Sequence, residues 1–414
     1  MMALGSMDLV TKDSTHASPA KSAMGAPAGA GDGRRATVLQ VLPALGSGGG
    51  VERGTIEIAE AIVEAGGRAL VASAGGAQVH ELARVGAEHV TLPLDSKNPF
   101  VMQANIGRLA RLIRAQGVDI VHARSRAPAW SAWFAARQTG AHFVTTFHGT
   151  YSAGNWLKRR YNTVMTKGER VIAISGFIAG HVRQLYGVPV GRIRIIHRGV
   201  DLERFDPKRV TAERIAALAQ EWRLTDGLPV VMLPGRLTRW KGQTVFLKAL
   251  AKLGRRDVRA LLVGSDQGRT GYRAELESLI AEHNLNTVAR IVDHCNDMAA
   301  AYMLTDVVVS ASTDPEAFGR VVTEAQAMGR PVIATDHGGA RETVIENETG
   351  WLVPPGDVEA LSAAIARVLA LTQDARVALA EKAIANVRQN FSKEAMCAKT
   401  LEVYNEVLNL KAES

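Results

Sequence analysis

The chain has few of the residues that staple small folds or bind bases. Its 414 residues include only two cysteines, Cys295 and Cys397, too few for a disulfide framework or a cysteine zinc cluster, which suits a reducing compartment. Aromatic residues make up 5% of the chain, which leaves little for stacking on nucleic-acid bases. No run reaches the ~18 apolar residues of a membrane span, and the N-terminus lacks the compact apolar segment of a signal peptide. The phosphate loop G-x-x-x-x-G-K-[ST] does not occur, and no carboxylate or His–Cys constellation has the look of a metal site. What remains is an ordinary cytoplasmic globular composition, 47% hydrophobic and 22% charged. At this length two domains with full cores are the default.

The net charge of +8 is unevenly placed. Residues 34–199 hold 21 Lys and Arg against 9 Asp and Glu, or +12, whereas residues 200–414 hold 26 against 29. A basic first half suits an anionic membrane face, a phosphorylated acceptor or nucleic acid, and equally a merely soluble surface. Residues 1–33 are rich in Ala, Gly, Ser and Met without periodicity and read as a disordered N-terminal extension.

From residue 36 the chain alternates short apolar runs with helical patterns. Strands are expected at 36–42, 68–73, 90–94, 118–122, 142–148, 170–175 and 192–197, then at 229–233, 260–263, 290–292, 306–309, 331–334 and 350–353, with helices between them such as 51–65, 105–116 and 128–138. This is an α/β chain of two Rossmann-like, doubly wound, mostly parallel sheets. Ligands in such sheets bind at the carboxyl ends of the strands. The first strand runs into a glycine loop, residues 43–50, and then a helix. The pattern is not G-x-G-x-x-G and no acidic residue closes the second strand, so a dinucleotide site is disfavoured. Polar residues end later strands: His122, Arg124, Ser125 and Arg126; His148 and Gly149; Ser175 and Gly176. His122 reads more readily as structural than His148, whose neighbour Gly149 lets a ligand come near. The segment 155–161, N-W-L-K-R-R-Y, mixes aromatic and basic residues as an interfacial helix does, and an ordinary helix with one buried face explains it as well.

Two loops of the second half hold the sharper chemistry. Residues 234–242, P-G-R-L-T-R-W-K-G, place Arg236 and Lys241 in a glycine-bounded turn, where a planar fork and a point charge can grip adjacent phosphates. Residues 314–325, D-P-E-A-F-G-R-V-V-T-E-A, follow an apolar strand and lead into a helix, which puts free N–H groups at the sheet edge. Glu316 and Glu324 stand eight positions apart, or about 12 Å along a continuous helix. That argues mildly against two carboxylates that share one bond, which lie roughly 5–9.5 Å apart. The spacing suits contacts at separate ends of one elongated ligand, and equally an amphipathic helix with a solvated Glu at each end.

Gly49, Gly50 and Glu52, His148–Gly149, Ser175, Gly235–Arg236, Lys241–Gly242, and Glu316 with Glu324 occur in an order and spacing that resemble the retaining family-4 glycosyltransferases of GT-B fold, particularly those of bacterial lipopolysaccharide and envelope-glycan biosynthesis. The resemblance spans nearly the whole chain after residue 33. It implies a metal-independent hexosyltransferase without cofactor, whose UDP- or GDP-sugar donor lies in a cleft between two Rossmann-like domains. Arg236 and Lys241 would hold the diphosphate, Glu324 the ribose and Glu316 the transferred sugar. Phe318 and Gly319 would donate backbone N–H groups, Gly49 and Gly50 would let the loop approach the phosphates, and His148 would lie by the sugar. The implied mechanism is front-face displacement with retention. The partners implied are a glycan or lipid-linked acceptor and an anionic membrane at the inner face of the cytoplasmic membrane, with no nucleic acid.

The domain scheme that follows is an N-terminal acceptor domain at 34–205, a linker region at 206–226, a nucleotide-sugar domain at 227–390 and a C-terminal helix at 391–414 that can cross back to the first domain. Three departures stand out. Ala317 replaces a common Gly, and Arg198 stands where many members carry Asn, an extra cation for an acceptor or phosphate. His294 and Cys295 occupy the region where the base is often contacted, which leaves the base open. The alternatives are a GT-B epimerase or hydrolase, against which Glu316 and Glu324 speak, and a non-catalytic nucleotide-sugar binding protein, which His148, Lys241 and Glu316 disfavour.

Overall fold

The computed structural model describes residues 35–46, 49–151 and 154–410. The extension expected at 1–33, Ser47 and Gly48 of the glycine loop, and the last four residues of the expected C-terminal helix lie outside the described residues. Among the described residues thirteen strands form two parallel sheets. The first contains β1 (Thr37–Val41), β2 (Arg68–Ser73), β3 (Glu88–Thr91), β4 (Ile120–Ala123), β5 (His142–Phe147), β6 (Arg170–Ala173) and β7 (Ile193–Ile195), in spatial order 3-2-1-4-5-6-7. The second contains β8 (Val230–Pro234), β9 (Arg259–Val263), β10 (Ala289–Val292), β11 (Val307–Ser310), β12 (Val332–Thr335) and β13 (Trp351–Val353), in order 10-9-8-11-12-13.

Helices cover both faces of each sheet, so central strands are apolar on both sides and read as unbroken runs. In β1 and β11 Val38, Leu39, Val41, Val307, Val308 and Val309 are fully buried. β3 differs from the expected 90–94: it spans Glu88–Thr91, because Pro93 has no N–H to carry the ladder further. The helix expected from 105 starts at Pro99, with the Asn98 side chain accepting from Phe100 N, and ends at Gly117 in the left-handed region. These are ordinary start and stop signals.

Strand order reverses between β1 and β4 in the first sheet and between β8 and β11 in the second. The carboxyl ends at those reversals are the crevices of doubly wound folds. All four loops leaving them contain residues singled out above: Gly49 and Gly50 after β1, Arg124 after β4, Gly235 to Gly242 after β8, and Glu316 to Gly319 after β11.

The chain crosses between the sheets a second time near its end. Val200 N donates to Phe391 O at 2.8 Å and Lys393 N to Val200 O at 2.9 Å, and Val200 bridges Ser392. A Cβ on Gly199 would lie 2.5 Å from Lys393 Cα, so only glycine lets the two crossings touch. The helix Lys393–Asn409 then packs Met396, Leu401, Tyr404 and Val407 against Val38, Ile58 and Ile62 of the first sheet's layer.

Candidate active site

The loop after β8 is shaped by two glycines. Gly235 has φ 153° and Gly242 φ 73°; a Cβ on Gly242 would lie 1.8 Å from Ala311 O, so the loop presses against the end of β11. Between them, the turn Arg239–Lys241 sends the Lys241 stem over Gly235, where a Cβ would meet Lys241 Cδ at 3.6 Å. The Lys241 ammonium donates to Glu316 Oε1 at 2.6 Å, and Ser312 Oγ donates to the same oxygen at 2.6 Å. Burial pushes the Glu316 carboxyl up, but Lys241 and the Ser312 hydroxyl outweigh it, and the group titrates below its usual value. Glu316 is therefore an anion, and Lys241 has N–H groups left for a second acceptor.

Backbone contacts hold Glu316 in place. Its carbonyl accepts from Gly339 N at 2.8 Å, and a Cβ on Gly338 would come 2.4 Å from that carbonyl oxygen. Thr335 Oγ1 and His337 Nε2 both reach Ser312 O at 2.9 Å. Gly319, at φ 88°, starts the helix Arg320–Ala327, whose first N–H groups lie at the strand ends. Inside that helix Glu324 takes Tyr302 Oη at 3.2 Å and the Arg320 guanidinium at 3.2 Å. Burial, then the Glu324 charge, pushes the Tyr302 hydroxyl well above its usual value, so it stays a donor.

The facing wall starts at Gly49, the cap of the helix Gly50–Glu64. Glu52 folds back so closely that a Cβ on Gly49 would meet its Oε2 at 2.2 Å. The two walls approach closely: a Cβ on Gly50 would lie 3.7 Å from Arg320 Nη1. His148, after β5, accepts at Nδ1 from Arg198 at 2.8 Å, which leaves the proton on Nε2, a buried atom with no partner. Burial, then Arg198, Arg124 and His122, hold the ring well below the ordinary histidine value, so it is neutral.

At one edge the halves are latched. Ser175 Oγ donates to Ala317 O at 2.6 Å, and Gly176 N and Phe177 N donate to Glu342 at 2.7 and 2.8 Å. His197 Nε2 lies 2.9 Å from the same carboxylate. Phe318 packs its ring on His197 and Phe391.

The geometry thus joins Lys241 to Glu316 and sets Glu324 one helix turn beyond Arg320. It leaves Arg236 exposed, its carbonyl accepting from Gln243 Nε2 at 2.9 Å. Phe318 is buried, so only its backbone faces the loop. The sequence hid Ser312, Tyr302 and His337, which reach the site from separate elements. Arg126 turns away from Arg124, onto Asn162 and the Tyr151 ring. Among the described residues no three His, Cys, Asp or Glu side chains group as a metal site, and no helix is long and apolar enough to cross a membrane.

The chain as a whole is similar to known proteins. The model of group 1 glycosyl transferases matches residues 215–389, and that of glycosyltransferase family 4 matches residues 48–204. The D-inositol 3-phosphate glycosyltransferase of Xylanimonas cellulosilytica is 30% identical over 312 residues, which cover 70% of this chain and 73% of that protein. The chain belongs to the family-4 glycosyltransferases. It is a retaining hexosyltransferase of GT-B fold. A crystal structure of a glycosyltransferase from Rickettsia africae is 40% identical to this glycosyltransferase, with a TM-score of 0.84 over 90% of this chain and 98% of that one. The HepE protein of Anabaena, solved in complex with UDP and glucose, is 25% identical, with a TM-score of 0.78 over 89% and 98%.

Proposed function

We propose that this glycosyltransferase moves a sugar from a UDP- or GDP-sugar to an envelope-glycan or lipid-linked acceptor, in lipopolysaccharide or related glycan biosynthesis, at the inner face of the cytoplasmic membrane. The observation that carries the donor half is the Lys241–Glu316 pair, 2.6 Å apart at the switch point of the second sheet. Lys241, with Arg236 free to swing in from solvent, stabilises the diphosphate as negative charge develops on it. The N–H groups at Phe318 and Gly319 add the positive end of a helix. Gly49 and Gly50 bring the facing backbone close enough to share the same phosphates. Glu316 accepts from the hydroxyls of the transferred sugar and Glu324 from the ribose, one at each end of the diphosphate. His148 donates from Nε2 beside the sugar. With cations and the helix terminus supplying the electrostatics, the leaving phosphate takes the acceptor proton on the face it departs from, which retains configuration.

The acceptor half rests on the basic first half and on one surface. In the helix Trp156–Asn162, Trp156 is 70% and Leu157 58% exposed. They flank Lys158, Arg159 and Arg160 beside a pocket of about 420 Å³ lined by Arg126, Leu157, Lys158, Tyr161 and Asn162. The donor half is tested by thermal shift against UDP-, GDP-, ADP- and CMP-sugars. One sugar at a hundred times its dissociation constant stabilises the fold by about 2.7 kcal/mol, and EDTA leaves that shift unchanged. Lys241→Ala is expected to keep the fold and lower turnover by roughly 10²–10³; near-normal transfer by this variant sinks the role given to Lys241.

A further inference from the structure

The first wall of the cleft holds more positive charge than it neutralises. Arg124 and Arg198 are 3% and 7% exposed, and neither forms an ion pair among the described residues. Arg198 gives its hydrogen bond to the neutral ring of His148. Arg124 Nε and, from the facing helix, Arg320 Nε are buried without partners. Two carboxylates lie near enough to act on Arg198, Glu57 and Glu52; Glu57 is paired with Arg53 at 3.6 Å and Glu52 folds back on Gly49. Buried cations without partners are costly, and a fold keeps them when a ligand supplies the counter-charge.

The helix makes room for them. A Cβ on Gly54 would lie 2.4 Å from Arg198 Nη1 and 3.0 Å from Arg124 Nη2, so both guanidiniums converge on one bare turn. Glycine is the poorest helix former after proline, and here it sits fully inside the helix Gly50–Glu64. At that turn stand two guanidinium forks and the His148 Nε2–H, which has no partner among the described residues. A ligand there must bring acceptors, and a planar fork matches the paired oxygens of a carboxylate or phosphate.

We propose that Arg124, Arg198 and His148 form an anion subsite, separate from Arg236 and Lys241, that takes a carboxylate or phosphate monoester carried by the transferred sugar or by the acceptor. It rests on the donor reading given above, since it lies across the cleft from the diphosphate grip.

The test uses the full chain, Arg198→Asn and Gly54→Ala, with isothermal titration. UDP-glucose is compared with UDP-glucuronate and GDP-mannose with GDP-mannuronate. Glycerol 1-phosphate is compared with glycerol, with and without UDP or GDP. If the transferred sugar carries the anion, the uronate donor binds at least about tenfold tighter than its neutral counterpart. If the acceptor carries it, glycerol 1-phosphate binds and glycerol does not. In either case both variants lose the preference while UDP or GDP affinity stays within about threefold. Arg198→Asn is also expected to melt no lower than the parent, because it removes a buried unpaired cation. A parent chain with neither preference, or variants that keep it, overturns the proposal. So does an Arg198→Asn chain that melts lower and loses nucleotide along with the anion, the signature of a structural arginine. Failure of the donor reading looks different: no nucleotide binds the parent, and the phosphate arm without nucleotide still decides the subsite.

Discussion

His148 and His122 are both neutral inside a cationic surrounding. His122 bonds Tyr404 Oη and Thr146 Oγ1, each at 2.7 Å, and burial, then Arg124, holds it well below the ordinary histidine value, near 6.5. Because the unfolded chain takes up protons near that value and the folded rings do not, stability rises with pH through this window. Moving from about pH 7.5 to about pH 5.5 therefore destabilises the fold through both rings. Glu316 adds to the same trend at lower pH: its carboxyl is depressed, so its contribution is present above the unfolded carboxylate value and is lost as pH falls through the folded one. Calorimetric melting across this range checks the trend, and a flat profile would mean that both rings protonate in the folded state. At this scale the sequence was legible where a residue borders a glycine, as His148 and Lys241 do, or is one of a spaced pair, as Glu316 is with Glu324. Ser312 and Tyr302 were not, since nothing local records that they converge on Glu316 and Glu324.

The loop after β8 owes its shape to a close approach rather than to its cations. Gly242→Ala would set a Cβ 1.8 Å from Ala311 O in a left-handed conformation. Gly254 is left-handed too, but a Cβ there meets only Lys252 O at 3.9 Å, so Gly254→Ala isolates the conformational cost of roughly 1–2 kcal/mol. Gly242→Ala is expected to add a further ~1–3 kcal/mol of overpacking and to weaken the nucleotide-induced shift, because Lys241 moves with it. Urea unfolding of the two variants gives the comparison, and equal losses would mean that the β11 contact is slack. Strands were easy to read because sheets buried on both faces leave continuous apolar runs. Their ends were harder: β3 stops at Thr91 because of Pro93, and the helix at Pro99 begins six residues before its apolar periodicity does. Spatial order was not written locally at all, and it is order that brings the loops after β1, β4, β8 and β11 to one cleft.

On the scale of the molecule, charge and exposed apolar side chains coincide on the first half. If the helix Trp156–Asn162 meets lipid, the protein is expected to sediment with vesicles that contain anionic lipid, and less so as salt rises from about 0.05 to 0.5 M, where screening shortens from over 10 Å to under 5 Å. Trp156→Ala should weaken this retention at every salt concentration; salt-independent or absent retention would leave only a freely diffusing acceptor. The two-sheet plan was legible because the alternation of strand and helix occurs twice along the chain. How the halves are tied was not, since the contact between Gly199 and Lys393 joins residues 194 positions apart. Two covalent crossings lie bonded side by side at Val200 and Ser392, so both strands that join the halves pass through one point. Any change in the spacing of the halves must carry both strands at that point together and must break the hydrogen bonds of Ser175 to Ala317 and of Gly176 and Phe177 to Glu342.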